Sequence, residues 1–174
     1  NYNFEKIYQM LKAIILLALA VSAFAGFPYY SQCDSRWKGD RLGTSSATIC
    51  SAGCLMSSVA MMMSGYNVKI NGADATPKTL NAWLTSNGGY AQGNLFVWGS
   101  VAKFGFSYTG RFNAASDVKA KMNQGQICIL NVNNGGHWVL ATGSDANGFT
   151  VNDPGAGKPR FSNSDVVGSG CFKR

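Results

Sequence analysis

The sequence predicts one α+β domain on three observations. An apolar helical period runs through Leu55, Met56, Val59, Ala60, Met62 and Met63. After Gly125 the apolar residues come in short continuous runs, as in buried strands. Turn signals then fold those runs back on one another. A length of 174 residues suits a single compact domain, and 46% apolar with 13% charged residues excludes a disordered chain. No internal repeat is visible.

Residues 1–9 lack an initiator and read as translated upstream sequence, with Met10 as the natural start. Residues 10–25 have the order of a secretory signal peptide: Lys12, an apolar run, then the small-x-small site Ala23-Phe24-Ala25. The apolar run is shorter than the roughly 20 residues a membrane span needs. A single domain over 26–174 is therefore expected, secreted and without stable membrane insertion. Cleavage removes Lys6, Lys12 and Glu5, leaving 13 basic and 7 acidic residues and a formal charge of +6. The basic residues are scattered, without the clustered run of a nucleic-acid arm, so no nucleic-acid partner is expected. Attraction to anionic walls or polymers is the other consequence of that charge. Nothing in the sequence speaks for an oligomer, and a monomer is taken by default.

Residues 27–49 have loop composition, with Pro, Gly, Ser, Asp and several aromatics. The first helix follows, with Cys54 in its first turn and Gly65 as its stop. A second helix begins at Thr76-Pro77, a good N-cap followed by a residue suited to the first helical position, and ends at Gly88-Gly89. A third helix is expected over 95–104, capped by Asn94 and stopped by Gly105, and a fourth over 115–122. Strands are expected over 126–132 and 137–142, joined by the turn Asn133-Asn134-Gly135-Gly136. A hairpin turn at Asp145-Ala146-Asn147-Gly148, with its Asn-Gly signal, leads into a strand over 149–153 that Pro154 stops. The tail Phe172-Lys173-Arg174 carries little signal.

A nucleophilic thiol needs a lowered pKa, a base and a group that orients the base. Cys54 opens a helix, where the dipole and free N–H groups favour a thiolate. His137 is the only histidine in the chain and opens a strand. Asp153 ends the returning strand of the same hairpin, at the edge His137 occupies, where it can accept from one imidazole nitrogen. Taken singly, each has an ordinary structural reading: a packed cysteine, a satisfied histidine, an aspartate in a turn. Their joint order is what points to cysteine hydrolase chemistry. Five cysteines make an odd number, so one thiol is left unpaired or pairs between molecules. Cys33 and Cys50 flank the long loop before Cys54 and are expected to pair, an oxidising compartment permitting it. Cys128 and Cys171 are a candidate second pair, with a buried free Cys128 as the alternative. One histidine and scattered cysteines make no zinc site, and neither a metal nor a cofactor is expected.

The segments GCLMSSVAMM, GGHWVLATGSD and FTVNDP, together with YYSQ and its following Asp and Trp, resemble the bacteriocin-processing peptidases. These form the peptidase C thirty-nine-like family of the papain-like superfamily. The likeness extends from Tyr29 to NDPGAGK at Asn152. It implies a papain-like fold, with an N-terminal helical part carrying the cysteine and a C-terminal antiparallel sheet carrying the histidine and aspartate. It implies a thiol peptidase activity with Cys54, His137 and Asp153 as the catalytic set. It also implies that Gln32 is the oxyanion donor, beside the Cys54 backbone N–H. Many family members are fused to membrane and ATP-binding domains and cut after a double glycine. These 174 residues contain neither domain, so that specificity is not carried over.

The substrate is accordingly a peptide or peptidoglycan. Small residues are expected near the cut, because Gly53, Gly135 and Gly136 surround the nucleophile and base in sequence. Two other readings stand beside a peptidase: a wall-lytic amidase or endopeptidase of papain-like design, and a non-catalytic secreted binding module on the same fold.

Overall fold

The computed structural model describes residues 5–6 and 26–174. The expected signal segment, with Met10, Lys12 and the cleavage signal, lies outside the described residues. Thr48 caps a four-residue helix, α1 (Ile49–Ala52), in a reciprocal capping box with Ser51. Gly53 separates it from the central helix α2 (Cys54–Gly65). A Cβ at Gly53 would stand 2.5 Å from the Ile49 carbonyl oxygen, so the tight passage from α1 into α2 needs glycine. All residues from 56 to 63 are buried, which explains the four methionines there: flexible side chains fill contacts on every side of the helix. Gly65 is the last helical residue rather than a left-handed stop. The positive φ falls at Asn67, and Gly65 leaves room for Phe27, which a Cβ would meet at 2.3 Å.

A short ribbon, β1 (Lys69–Ile70) with β2 (Ala73–Asp74), leads into α3 (Pro77–Ser86). Thr76 caps α3 and Pro77 sits at its start, as the sequence predicts. The expected helix over 95–104 is only half there. Leu95–Phe96 is a strand, β4, hairpin-paired with β3 (Tyr90–Ala91), and a 3-10 helix runs over Trp98–Phe104. Gly105 ends that 3-10 helix in the left-handed conformation. The error has a physical cause. Gln92 and Gly93 both take positive φ and close a hairpin before the helical register begins.

The main sheet has six antiparallel strands in the order β5-β10-β6-β7-β8-β9. These are β5 (Ser107–Arg111), β6 (Ile127–Val132), β7 (His137–Asp145), β8 (Gly148–Asn152), β9 (Arg160–Ser162) and β10 (Gly168–Lys173). The fourth helix, α4 (Ala115–Asn123), covers one face of the sheet. Ile127 and Ile129 face the α2 core, whereas Cys128, Leu130 and Val132 join Val118 of α4. Burial on both faces is why β6 reads as an unbroken apolar run.

The β7–β8 hairpin turn lies where expected, over 145–148, but its Asn-Gly signal and the reading of the C-terminal residues as a tail need correcting. The hairpin between β7 and β8 has Ala146 and Asn147 at its centre, neither with positive φ. Its turn is closed by the Asp145 carboxylate, which accepts from the N–H groups of Asn147 and Gly148. The C-terminal residues are not a tail: Phe172 and Lys173 belong to β10, inside the sheet between β5 and β6.

Cys128 and Cys171 are directly opposed across β6 and β10 and lie at disulfide distance, so Cys128 is not a free thiol. Cys33 and Cys50 also lie at disulfide distance. Replacing Cys33 and Cys50 together with alanine is expected to lower unfolding free energy by about 3 kcal/mol, chiefly through the freer unfolded chain. Equilibrium denaturation with an unchanged midpoint would contradict this.

Candidate active site

Cys54 is the first residue of α2 and half-buried, and it is the one free cysteine among the described residues. Its backbone N–H has no acceptor one turn back within the helix. His137 opens β7, immediately after the turn at 133–136. In that turn Asn133, Asn134 and Gly135 all take positive φ, a conformation that asparagine and glycine tolerate best. Leu140 pairs with Asn152, so His137 and Asp153 lie beyond that pair at one end of the same hairpin.

The result is a contact of 2.6 Å between His137 Nε2 and Asp153 Oδ1. Asp153 is nearly fully buried, and its oxygens also accept from the N–H groups of Gly155 and Lys158 at 2.8 and 3.2 Å. With Nε2 engaged, Nδ1 is the nitrogen left for Cys54. The Cys54 side chain, through a hydrogen bond, raises the His137 pKa from 6.5 to about 9; burial opposes the rise and Asp153 reinforces it. The cation therefore contributes to stability fully below about 6.5, and that contribution fades as pH rises through about 9.

Gln32 reaches the same place by a different route. Asn152 donates to the carbonyls of Phe27 and Pro28, and the Gln32 N–H donates to the Pro154 carbonyl. The Trp37 indole donates to the Ser31 carbonyl. The loop is thereby fastened across the end of β8. The Gln32 side chain then donates from Nε2 to the Cys50 carbonyl at 2.6 Å, four residues before Cys54. Its second Nε2 hydrogen remains for another acceptor, and the buried Oε1 has no partner among the described residues.

A cavity of about 420 Å³ is lined by Gln32, Cys54 and His137 together. Asp153 stands behind His137, away from the lining. The structure thus brings together all four residues that the sequence singles out. No carboxylate, lysine or arginine lines the cavity. No group of three or more metal-ligating side chains occurs among the described residues.

Sequence reasoning missed two supports. A Cβ on Gly155 would meet His137 Cε1 at 2.8 Å, so the missing side chain leaves room for the imidazole against Asp153. The Gly after Asp-Pro was its only signal. Ser58, one turn along α2 from Cys54, donates to the Trp138 carbonyl at 3.3 Å and ties the helix to the strand carrying His137. A serine within a helix gives no hint of that partner.

The sequence profile of the Peptidase_C39 like family matches residues 24–164. No curated protein matches the chain significantly. Among solved structures, the chain is similar to a double glycine motif protease from an AMS/PCAT transporter in complex with the leader peptide. That similarity has a TM-score of 0.48 at 17% identity, over 69% of this chain and 83% of the other.

Proposed function

Since the chain belongs to the Peptidase_C39 like family and is a cysteine peptidase, we propose that it cleaves peptide bonds outside the cell with Cys54 as nucleophile. The single observation that carries the assignment of roles is that Cys54, His137 and Gln32 line one cavity while Asp153 is bonded to His137 from behind. The Cys54 sulfur attacks the carbonyl carbon while His137 passes a proton to the leaving amine. His137 then takes a proton from water, whose oxygen releases the acyl group from Cys54. Asp153 holds the imidazole in its productive tautomer, and Gln32 with the Cys54 N–H receives the oxyanion.

Secretion is supported by the order of residues 10–25 and by two cysteine pairs at disulfide distance, a chemistry of oxidising compartments. N-terminal sequencing of the secreted protein should begin near Gly26, and a start at Asn1 would end this part of the proposal. Among the described residues, no helix is long and apolar enough to cross a membrane.

The test is incubation with a mixed peptide library, with and without prior iodoacetamide treatment. Cleavage that alkylation abolishes is expected. An inert library together with an unreactive Cys54 would favour the binding-module reading.

The imidazolium sets a pH limb. Because His137 keeps its proton up to about 9, kcat/KM should fall as pH rises through that value. In Asp153→Asn the alkaline limb should move to lower pH, because a carboxylate that favours the cation is gone. A pH–rate profile with the limb unmoved would remove Asp153 from its role.

A further inference from the structure

The loop between Cys33 and Cys50 holds its shape through its own packing. Trp37, Leu42 and Ile49 are buried in the core that contains α2. The Leu42 N–H donates to the Ala47 carbonyl, and the Ile49 N–H to the Asp40 carbonyl. What the Cys33–Cys50 cross-link adds is local. Cys33 directly follows Gln32, and Gln32 Nε2 donates to the carbonyl of Cys50, the residue to which Cys33 is joined. Two adjacent residues of the segment carrying Gln32 are therefore tied to one point on α1, four residues before Cys54.

The two cysteine pairs differ in access. Cys128 and Cys171 are fully buried between β6 and β10. Cys33 is exposed and Cys50 half-buried. A thiolate must reach a sulfur to attack it, so a thiol reductant meets the Cys33–Cys50 pair first. Gln32 also gains by leaving once the tie is cut. Its Oε1 is buried without a partner among the described residues, which disfavours the inward pose against one in water.

We propose, resting on the cysteine peptidase reading above with Gln32 as oxyanion donor, that the Cys33–Cys50 disulfide is a redox switch on the oxyanion site. Closed, it holds Gln32 beside Cys54; opened by a small thiol or dithiol, it turns the peptidase down. The reductant's thiolate attacks the Cys33 sulfur and displaces the Cys50 thiolate, which takes up a proton. A second thiol of the reductant then displaces the first from Cys33. Cys33 and Cys50 end as thiols, and the reductant carries the disulfide away. The Gln32 amide then turns toward water, while Cys54 keeps His137 as its partner. Hydrolysis is thereby confined to oxidising surroundings.

The test is peptide hydrolysis by the protein before and after graded dithiothreitol, with non-reduced peptide mapping to follow each pair. Cys33–Cys50 should open first. With it kcat should fall by about 10²- to 10³-fold with a smaller change in KM, the loss expected for one oxyanion donor. Reoxidation should restore kcat. Cys33→Ser/Cys50→Ser, made alone and together with Gln32→Ala, shows whether the disulfide acts through Gln32. If it does, the combined variant should be no slower than Gln32→Ala alone. An equal further loss in the Gln32→Ala background would overturn the switch, because the cross-link would then serve stability at large. So would an unchanged or raised kcat on reduction, or opening of Cys128–Cys171 before Cys33–Cys50. Unchanged kcat in Gln32→Ala would remove both the donor and the switch while the peptidase reading stands. Absence of any cleavage by the oxidised protein, with Cys54 unreactive, would overturn the peptidase reading itself. If the double-serine variant does not fold, the oxidised and reduced forms of Gln32→Ala make the same comparison.

Discussion

Cys54→Ala is expected to lower kcat/KM for peptide hydrolysis by about 10³-fold or more, the loss typical when a nucleophile is removed. The expectation rests on exclusion as well as geometry. The other four cysteines lie in pairs at disulfide distance, and Cys54 alone shares a cavity with His137. The half-buried thiol at a helix start can become a methyl group without burying a polar atom, so the variant should keep its fold. His137→Ala should cost about as much as Cys54→Ala. The double variant should be little worse than either, because the two act as a unit. Near-normal turnover by folded Cys54→Ala would remove the mechanism.

Gln32→Ala should reduce kcat by about 10²- to 10³-fold with a smaller change in KM, as when one oxyanion donor is lost. Gln32 is 8% exposed and its amide is held between the Cys50 carbonyl and the cavity. One Nε2 hydrogen fixes the side chain to the loop that precedes Cys54. The other is left for charge that develops only in the transition state, which is why kcat should carry the effect. Iodoacetamide should still label Cys54 in this variant, since alkylation forms no oxyanion. Unchanged kcat, or loss of labelling alongside activity, would show that Gln32 only shapes the loop.

The elements that proved legible are those whose pattern is local. The period through Met56 and Met63 belongs to one buried helix, and the Thr76-Pro77 start is complete within four residues. His137 and Asp153 could be brought together from the sequence because one hairpin joins them. The strand β10 was not legible. Gly168-Ser169-Gly170 has turn composition, yet these glycines serve packing: a Cβ on Gly170 would stand 2.0 Å from Trp98, and one on Gly168 would stand 3.2 Å from Arg111. Both neighbours are far away in sequence, so only the fold explains the glycines. The Leu95-Phe96 strand was lost for a similar reason, its partner Tyr90 being set by the turn at Gln92 and Gly93 rather than by periodicity. Gly155 is legible only once the His137 ring is in place beside it.

The central claim is that His137 activates Cys54, and brief iodoacetamide treatment of the unreduced protein tests it most directly. Intact and peptide-level mass spectrometry should find one alkyl group, on Cys54, added near neutral pH faster than to free cysteine. In His137→Ala that rate should fall to the level of an ordinary thiol. Alkylation of Cys54 at an unassisted rate that is indifferent to His137 would contradict the account, as would labelling at any other cysteine.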